Sequence, residues 1–264
     1  MLWGKKKRRA QARQRPFPPA WLAVLERRVP YYACLSIPEQ LALQGHIQVF
    51  LSEKNFEGCG GLELSDEILV TVAGYACILI LNQDTDYYPR LDTVLVYPTA
   101  FVMETTLDGF GELEVHGEEI HSGEAWQQGV VILAWEDIEH GGQREHPGFN
   151  VIVHEFAHQL DMENGEGDGF PLLVDTELRK RWPEVFRREY NLLVDNVDSG
   201  RATLLDPYGA ESPAEFFAVV TEAFFGLPVE MARAHPELYT LLSRFYEQNP
   251  ADKIRRLREP TQDG

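Results

Sequence analysis

The spacing of apolar positions changes along this chain, and the change divides it into three stretches. Helices are predicted over Trp21 to Val29 and over Pro38 to Lys54, where Leu41, Ile47 and Phe50 fall at helical intervals. Asn55 to Gly61, with Gly58, Gly60 and Gly61, reads as a loop. Asp66 to Leu81 reads as a buried helix, although Val70, Val72 and Ile78 also suit a strand. Strands follow over Asp92 to Tyr97, stopped by Pro98, and over Ala100 to Glu104 and Gly111 to His116, around a turn at Asp108 to Gly111. The clearest strand is Gly129 to Trp135, whose apolar residues run on without alternation, as burial on both faces requires.

From Asn150 the pattern is helical again. One helix runs to about Asn164, followed by a loop holding Gly165, Gly167 and Gly169. A charged helix spans about Thr176 to Asn191, and two more span about Pro213 to Phe225 and Pro236 to Gln248. No internal repeat, low-complexity tract or linker divides the body. Helices, then strands, then helices is the order of an α+β fold.

Charge sharpens the picture at one end. Residues 1–15 hold seven bases (Lys5, Lys6, Lys7, Arg8, Arg9, Arg13, Arg15) and no acid, within a chain of net charge −18. We expect these residues to form a flexible, solvated basic arm, dispensable for chemistry, and residues 16–260 to form one domain. The body is strongly acidic, which argues against direct nucleic-acid binding. Cys34, Cys59 and Cys77 form no C-x-x-C, so neither a disulfide framework nor a cysteine metal site is indicated. The longest apolar run, Ile68 to Leu81, is shorter than the ~20 residues of a membrane span, and the basic start leads into no signal-peptide core. Those features point to the cytoplasm.

Chemistry concentrates in Phe149-Asn-Val-Ile-Val-His154-Glu155-Phe-Ala-His158-Gln-Leu-Asp161, which contains H-E-x-x-H. Residues four apart share a helix face, so His154 and His158 can converge on one ion. Glu155 is placed to reach a metal-bound water rather than the metal. Zinc lowers the pKa of such a water towards 7, and the carboxylate removes its proton during attack on a carbonyl. A catalytic zinc needs a third protein ligand. The extended H-E-x-x-H-x-x-G-x-x-H pattern does not supply it, because Asp161 and Asn164 stand at those positions.

The best source of a third ligand is Tyr208-Gly-Ala-Glu-Ser-Pro-Ala-Glu215-Phe-Phe-Ala-Val-Val-Thr-Glu222. Ser212 and Pro213 suit a helix start, and Glu215 and Glu222, seven apart, share one face of a very apolar helix. Two such carboxylates need a partner or water, and a cation satisfies both. His235, Glu163 and Asp168 are weaker alternatives.

These two blocks, in this order and spacing, resemble the glucose-regulated metallopeptidases related to Mlc titration factor A. The resemblance extends to Pro236-Glu-Leu-Tyr239, and the second block is also similar to the catalytic domain of anthrax lethal factor. The resemblance implies a zincin-like fold of the gluzincin type, with a mixed sheet, an active-site helix and a helical C-terminal part. It implies one Zn2+ held by His154, His158 and Glu215, with Glu155 as general base and Tyr208 steadying the oxyanion. It further implies aminopeptidase-like hydrolysis of small peptides and binding of the glucose repressor Mlc. The strand at Gly129 to Trp135 is the expected sheet edge for an extended peptide substrate. One departure from lethal factor is Val219, where an acid follows the glutamate ligand by four residues; Glu222 and Asp161 are then the residues left to support the ligands. The contrasting reading is a non-catalytic binding protein that sequesters a repressor.

Overall fold

The two apolar runs Thr93–Tyr97 and Val130–Ala134 lie side by side as strands β2 and β3, with Thr93 opposite Val130 and Tyr97 opposite Ala134. The computed structural model describes residues 2–100, 129–139 and 148–258. A further strand, β1 (Asn55–Gly58), pairs along the other side of β2, and both pairings are parallel. Parallel neighbours need a crossover, and helix α4 (Asp66–Leu79) forms the one between β1 and β2. Ser65 caps that helix by accepting from the Ile68 amide, and most of its residues are buried, which resolves the helix-or-strand ambiguity. The loop expected at Asn55 to Gly61 is therefore partly strand. With one apolar residue in four, at the margin of the sheet, β1 carries too little alternation to announce itself.

Instead of the mixed sheet expected, the sheet among the described residues is parallel throughout. The short strands and turn anticipated between Ala100 and His116 fall, beyond residue 100, outside the described residues.

Before the sheet come α1 (Leu2–Arg13), α2 (Pro19–Arg28) and α3 (Ile37–Glu53); after it come α5 (Trp135–Glu139) and α6 (Val151–Asp161). The C-terminal part is α7 (Thr176–Asp198), α8 (Pro213–Gly226), α9 (Pro228–Ala234), α10 (Pro236–Phe245) and α11 (Pro250–Arg258). The result is a helix-dominated α+β arrangement with a small sheet. Helix α7 runs seven residues past its expected end, because Leu192, Leu193, Val194 and Val197 carry apolar positions on beyond Asn191. Tight aromatic packing joins the C-terminal helices: Trp182 and Phe186 of α7 meet Phe216 and Phe217 of α8, and Phe245 of α10 closes on Trp182.

The basic segment at the start is not the flexible arm that its composition suggests. It is helix α1, and Lys5, Arg9, Ala12 and Arg13 share the face that docks. Ala12 is 3% exposed. Arg9 donates two hydrogen bonds to Glu53, at 2.8 and 2.7 Å, and pairs with Asp86 at 2.7 Å; Lys5 reaches Asp86 at 3.0 Å. Arg13 donates to the Tyr87 hydroxyl at 2.6 Å, and that hydroxyl lies 2.8 Å from His46 Nδ1. Opposite charge on the acidic body turns half-solvated bases into docking contacts. The signal was present in the spacing of Lys5, Arg9 and Arg13, which a count of charges discards.

Two measurements test this docking. Arg9→Ala leaves Glu53 and Asp86 without their shared donor and should cost about 1–3 kcal/mol, read by chemical denaturation. Burial, reinforced by the charge of Arg13, holds His46 down to about 4. An unfolded histidine protonates near 6.5, so stability from this group is full above that value and declines as pH falls from 6.5 towards 4, by up to about 3 kcal/mol. The melting temperature of the wild type should fall more steeply across that window than that of His46→Gln.

Candidate metal centre

Helix α6 begins where the Asn150 side chain accepts a hydrogen bond from the Val153 amide at 3.0 Å. Val151, Ile152 and Val153 are poor helix formers, so this helix depends on tertiary packing. Its rear face supplies that: Phe156 sits edge-on to Phe50 and Tyr88, with ring centroids 5.7 and 5.0 Å away. The opposite face then presents His154 and His158, whose Nε2 atoms stand 3.1 Å apart. Both imidazoles are buried.

Helix α8 starts with Ser212 accepting from the Glu215 amide at 3.2 Å and with Pro213 in the first turn. Phe216, Phe217, Val220 and Phe224 are fully buried, which orients the helix and turns the Glu215/Glu222 face towards α6. Glu215 Oε2 lies 2.9 Å from His154 Nε2 and 3.4 Å from His158 Nε2. Glu222 Oε1 lies 2.7 Å from His154 Nδ1, while its Oε2 accepts from the Asn150 backbone amide at 2.5 Å. One helix face thus brackets both nitrogens of one imidazole.

Among the described residues, His154, His158 and Glu215 form a cluster able to hold a metal ion. Donor atoms about 2.1 Å from a tetrahedral ion lie roughly 3.3–3.4 Å from one another. The observed separations of 2.9, 3.1 and 3.4 Å meet that requirement to within a few tenths of an ångström. With an ion bound, Glu222 would keep the proton on His154 Nδ1 and leave Nε2 to the metal; the same carboxylate–histidine arrangement orients metal ligands generally.

The electrostatics fit a cation. Burial alone would lower His154, but the carboxylates of Glu215 and Glu222 outweigh it and push the imidazole up to about 10. Burial dominates at His158 and takes it down to about 4. Burial opposes ionisation of Glu215 as well, yet its two histidine neighbours bring it down to about 2. The cluster concentrates negative charge on buried groups and favours a positive charge at their meeting point.

Glu155 follows His154 on α6 and is half-buried. Tyr208 lies in the short turn Pro207–Ala210, where Asp206 accepts from its amide at 2.9 Å. The residue is 38% exposed, and its ring stands 5.9 Å from that of His154. Asp161 is brought to neither histidine. It is fully buried, and Oδ2 accepts from the Gly169 amide at 2.8 Å, tying the glycine-rich loop to the end of α6. Burial pushes this carboxyl up to about 7. Gly169 has φ +79°, and a Cβ there would meet the Pro213 carbonyl oxygen at 2.6 Å, so only glycine fits.

The weaker ligand alternatives lie outside the cluster. His235 pairs with Glu189 at 2.8 Å, Asp168 accepts from the Phe170 amide, and Glu163 sits towards Asp86 and Lys54. Asn150 and Asp206 were not among the expected site residues. An asparagine directly before the apolar run of α6 was the readable signal for the first; for the second it was an aspartate directly before Pro207.

Comparison with known proteins identifies the family. The sequence model of the glucose-regulated metallo-peptidase M90 family matches residues 3–247. An uncharacterized protein of Synechocystis sp. is 42% identical over 244 residues, covering 92% of this chain and 89% of its own. Mlc titration factor A of Klebsiella pneumoniae is 34% identical over 230 residues, 86% of each chain. Mlc titration factor A of Salmonella arizonae is 33% identical over 239 residues, 89% of this chain and 94% of its own. A match along nearly the whole chain, including both blocks that build the cluster, makes the protein a member of the glucose-regulated M90 metallopeptidase family.

Proposed function

We propose that this protein is a zinc-dependent peptidase with a zincin-like, gluzincin-type active site, in which His154, His158 and Glu215 hold one Zn2+. The convergence of those three donor atoms, with Glu222 behind His154, carries the reading. Two imidazoles and one carboxylate at tetrahedral spacing suit zinc and leave a position for water or substrate. When bound, zinc supplies a polarised carbonyl and a water of lowered pKa. Glu155 takes the proton of the attacking water and passes it to the leaving amine. The Tyr208 hydroxyl donates to the oxyanion as negative charge develops. Glu222 keeps His154 in one tautomer and one orientation throughout. Among the described residues β3 has β2 on one side only, so its other side is the edge proposed for an extended peptide.

The aminopeptidase-like preference for small peptides rests on the family resemblance. A second role has separate support: relatives of this length are named Mlc titration factor A, and the acidic body suits steering of a basic partner surface. We therefore also propose binding to the repressor Mlc. Cytoplasmic residence fits three free cysteines and, among the described residues, no helix long and apolar enough to cross a membrane.

Metal analysis and hydrolysis of a peptide amide with and without chelator test the first step: zinc should co-purify at one per chain, and chelation should abolish turnover. Glu155→Gln should keep zinc and lose about 10²–10⁴-fold in turnover; if it also retains Mlc in a pull-down, the two roles separate. Glu215→Ala should lose both zinc and hydrolysis. Tyr208→Phe should keep zinc near full occupancy while kcat drops ~10²–10³-fold with little change in KM. Glu222→Ala should weaken zinc about 10–100-fold in a chelator competition, although the residue touches no metal.

A further inference from the structure

Helix α1 covers one flank of α3 and leaves the next one open. On the covered flank Gly45 lies against Arg13, and Glu53 receives Arg9. The open stripe beside it runs Ile37, Leu41, Gln48 and Ser52, at steps of four, seven and four residues, about 22 Å along one side of the helix. Ile37 is 74% exposed and Leu41 is 62% exposed. Two large aliphatic side chains one turn apart, both in solvent, make an apolar patch of the kind that marks an interaction surface.

Bases frame this stripe. The Gln48 side chain donates to the backbone carbonyls of Arg15 and Pro16, at 3.1 and 3.3 Å, which lays Arg15 beside it. Arg8 of α1 and Ser52 line one surface depression. At the other end Ser36, next to Ile37, lines a depression shared with Arg256 and Leu257 of α11, and Leu257 is itself exposed. Lys6 and Lys7 add two more charges along α1. All five bases are exposed, and none has an ion-pair partner among the described residues. The acids at the margin are already engaged: Glu53 and Asp86 by Arg9 and Lys5, Glu39 by Lys253, and Asp252 by Arg255. Asp92 lies towards Lys54. In a chain of net charge −18, the stripe and its margins are positive.

We propose that this face docks the protein on the surface of an anionic phospholipid bilayer, with Ile37, Leu41 and Leu257 entering the headgroup layer and the framing bases meeting anionic headgroups. Bases beside exposed aliphatic side chains are the composition of a helix that lies in a membrane interface. A free polyanion such as RNA would engage the bases and gain nothing from the aliphatic groups. A symmetric contact between two copies would cover the aliphatic groups but set the bases of one copy against those of the other. A surface anionic outside and apolar beneath satisfies both. The acidic remainder of the molecule sets the orientation: screening at physiological salt confines the field of the bilayer to about 8 Å, so only the side that touches matters. None of these residues belongs to the metal cluster, so the docking stands or falls apart from the proposed hydrolysis.

The test sediments the full chain with vesicles of equal parts phosphatidylglycerol and phosphatidylcholine, and with vesicles of phosphatidylcholine alone. Binding should saturate on the anionic vesicles, be weaker by roughly tenfold or more on the neutral ones, and fall as salt is raised. One base near an anionic bilayer is worth about fivefold, so Arg8→Gln combined with Arg15→Gln should weaken binding roughly 25-fold. Ile37→Gln combined with Leu41→Gln leaves every charge in place and should weaken it by about tenfold or more. All four side chains are exposed, so both variants should keep the wild-type melting temperature. No saturable binding to the anionic vesicles, equal binding to the neutral ones, or full binding by the Ile37 and Leu41 variant would overturn the proposal. So would tighter binding to polyuridylic acid than to vesicles, which would make this a nucleic-acid surface. A dimer in light scattering that the Ile37 and Leu41 changes dissolve would overturn it as well, by making the stripe a contact between copies.

Discussion

One imidazole held from both sides is the constraint on which the rest of this structure turns. His154 has Glu215 at Nε2 and Glu222 at Nδ1, and both carboxylates come from the same face of α8. An α-helix repeats its facing every seven residues, about 10 Å along the axis, so this spacing only works if α8 runs across the ring at one height and one angle. A shift of α8 by one turn would break both contacts together. The geometry of the cluster is therefore a property of how two helices cross and is not set by any single side chain.

Several local features serve that crossing. Gly226, at the end of α8, approaches Gly148 so closely that a Cβ on it would lie 2.8 Å from the Gly148 Cα. This contact presses the C-terminal end of α8 against the segment leading into α6, which is how Glu222 reaches the Asn150 amide. At the other end, Gly169 packs under the Pro213 carbonyl while its amide is held by Asp161 of α6. Glycine contacts at both ends and aromatic packing along the back give α8 little freedom to slide. An ion between the helices would meet donor atoms already in place, with little ordering left to do on binding.

The legibility of all this in the sequence was uneven, for physical reasons. His154 and His158 stand one helical turn apart, so local spacing alone placed them on a common face, with Glu155 beside them. Glu215 was reachable because carboxylates on a strongly apolar helix demand a partner, though residue spacing could not tell it from Glu222; resemblance chose between them. The division of labour between the two is a tertiary fact, decided by which imidazole nitrogen each one meets. Asp161 shared the histidine face on paper, yet it turns to the Gly169 amide, because a helix end offers contacts along its axis as well as across it. The buried strands β2 and β3 were plain from continuous apolar runs, whereas β1 and the docking of α1 were not. Both depend on partners far along the chain, and α1 looked solvated because bases count as polar whether or not an acidic surface awaits them.

That docking has a consequence for how the molecule is made. Synthesis proceeds from the N-terminal side, so α1 leaves the ribosome before Asp86 and Tyr87, which receive it and follow more than 70 residues later. During that interval a helix of six bases lacks part of the acidic surface that receives it, and the nearest polyanion is the ribosome that is making it. Helix α1 is thus translated well before it can complete its docking. Its docking marks the moment when residues 84–92 have closed over α3, so an element that reads as a loose beginning serves as the latch on a finished N-terminal half.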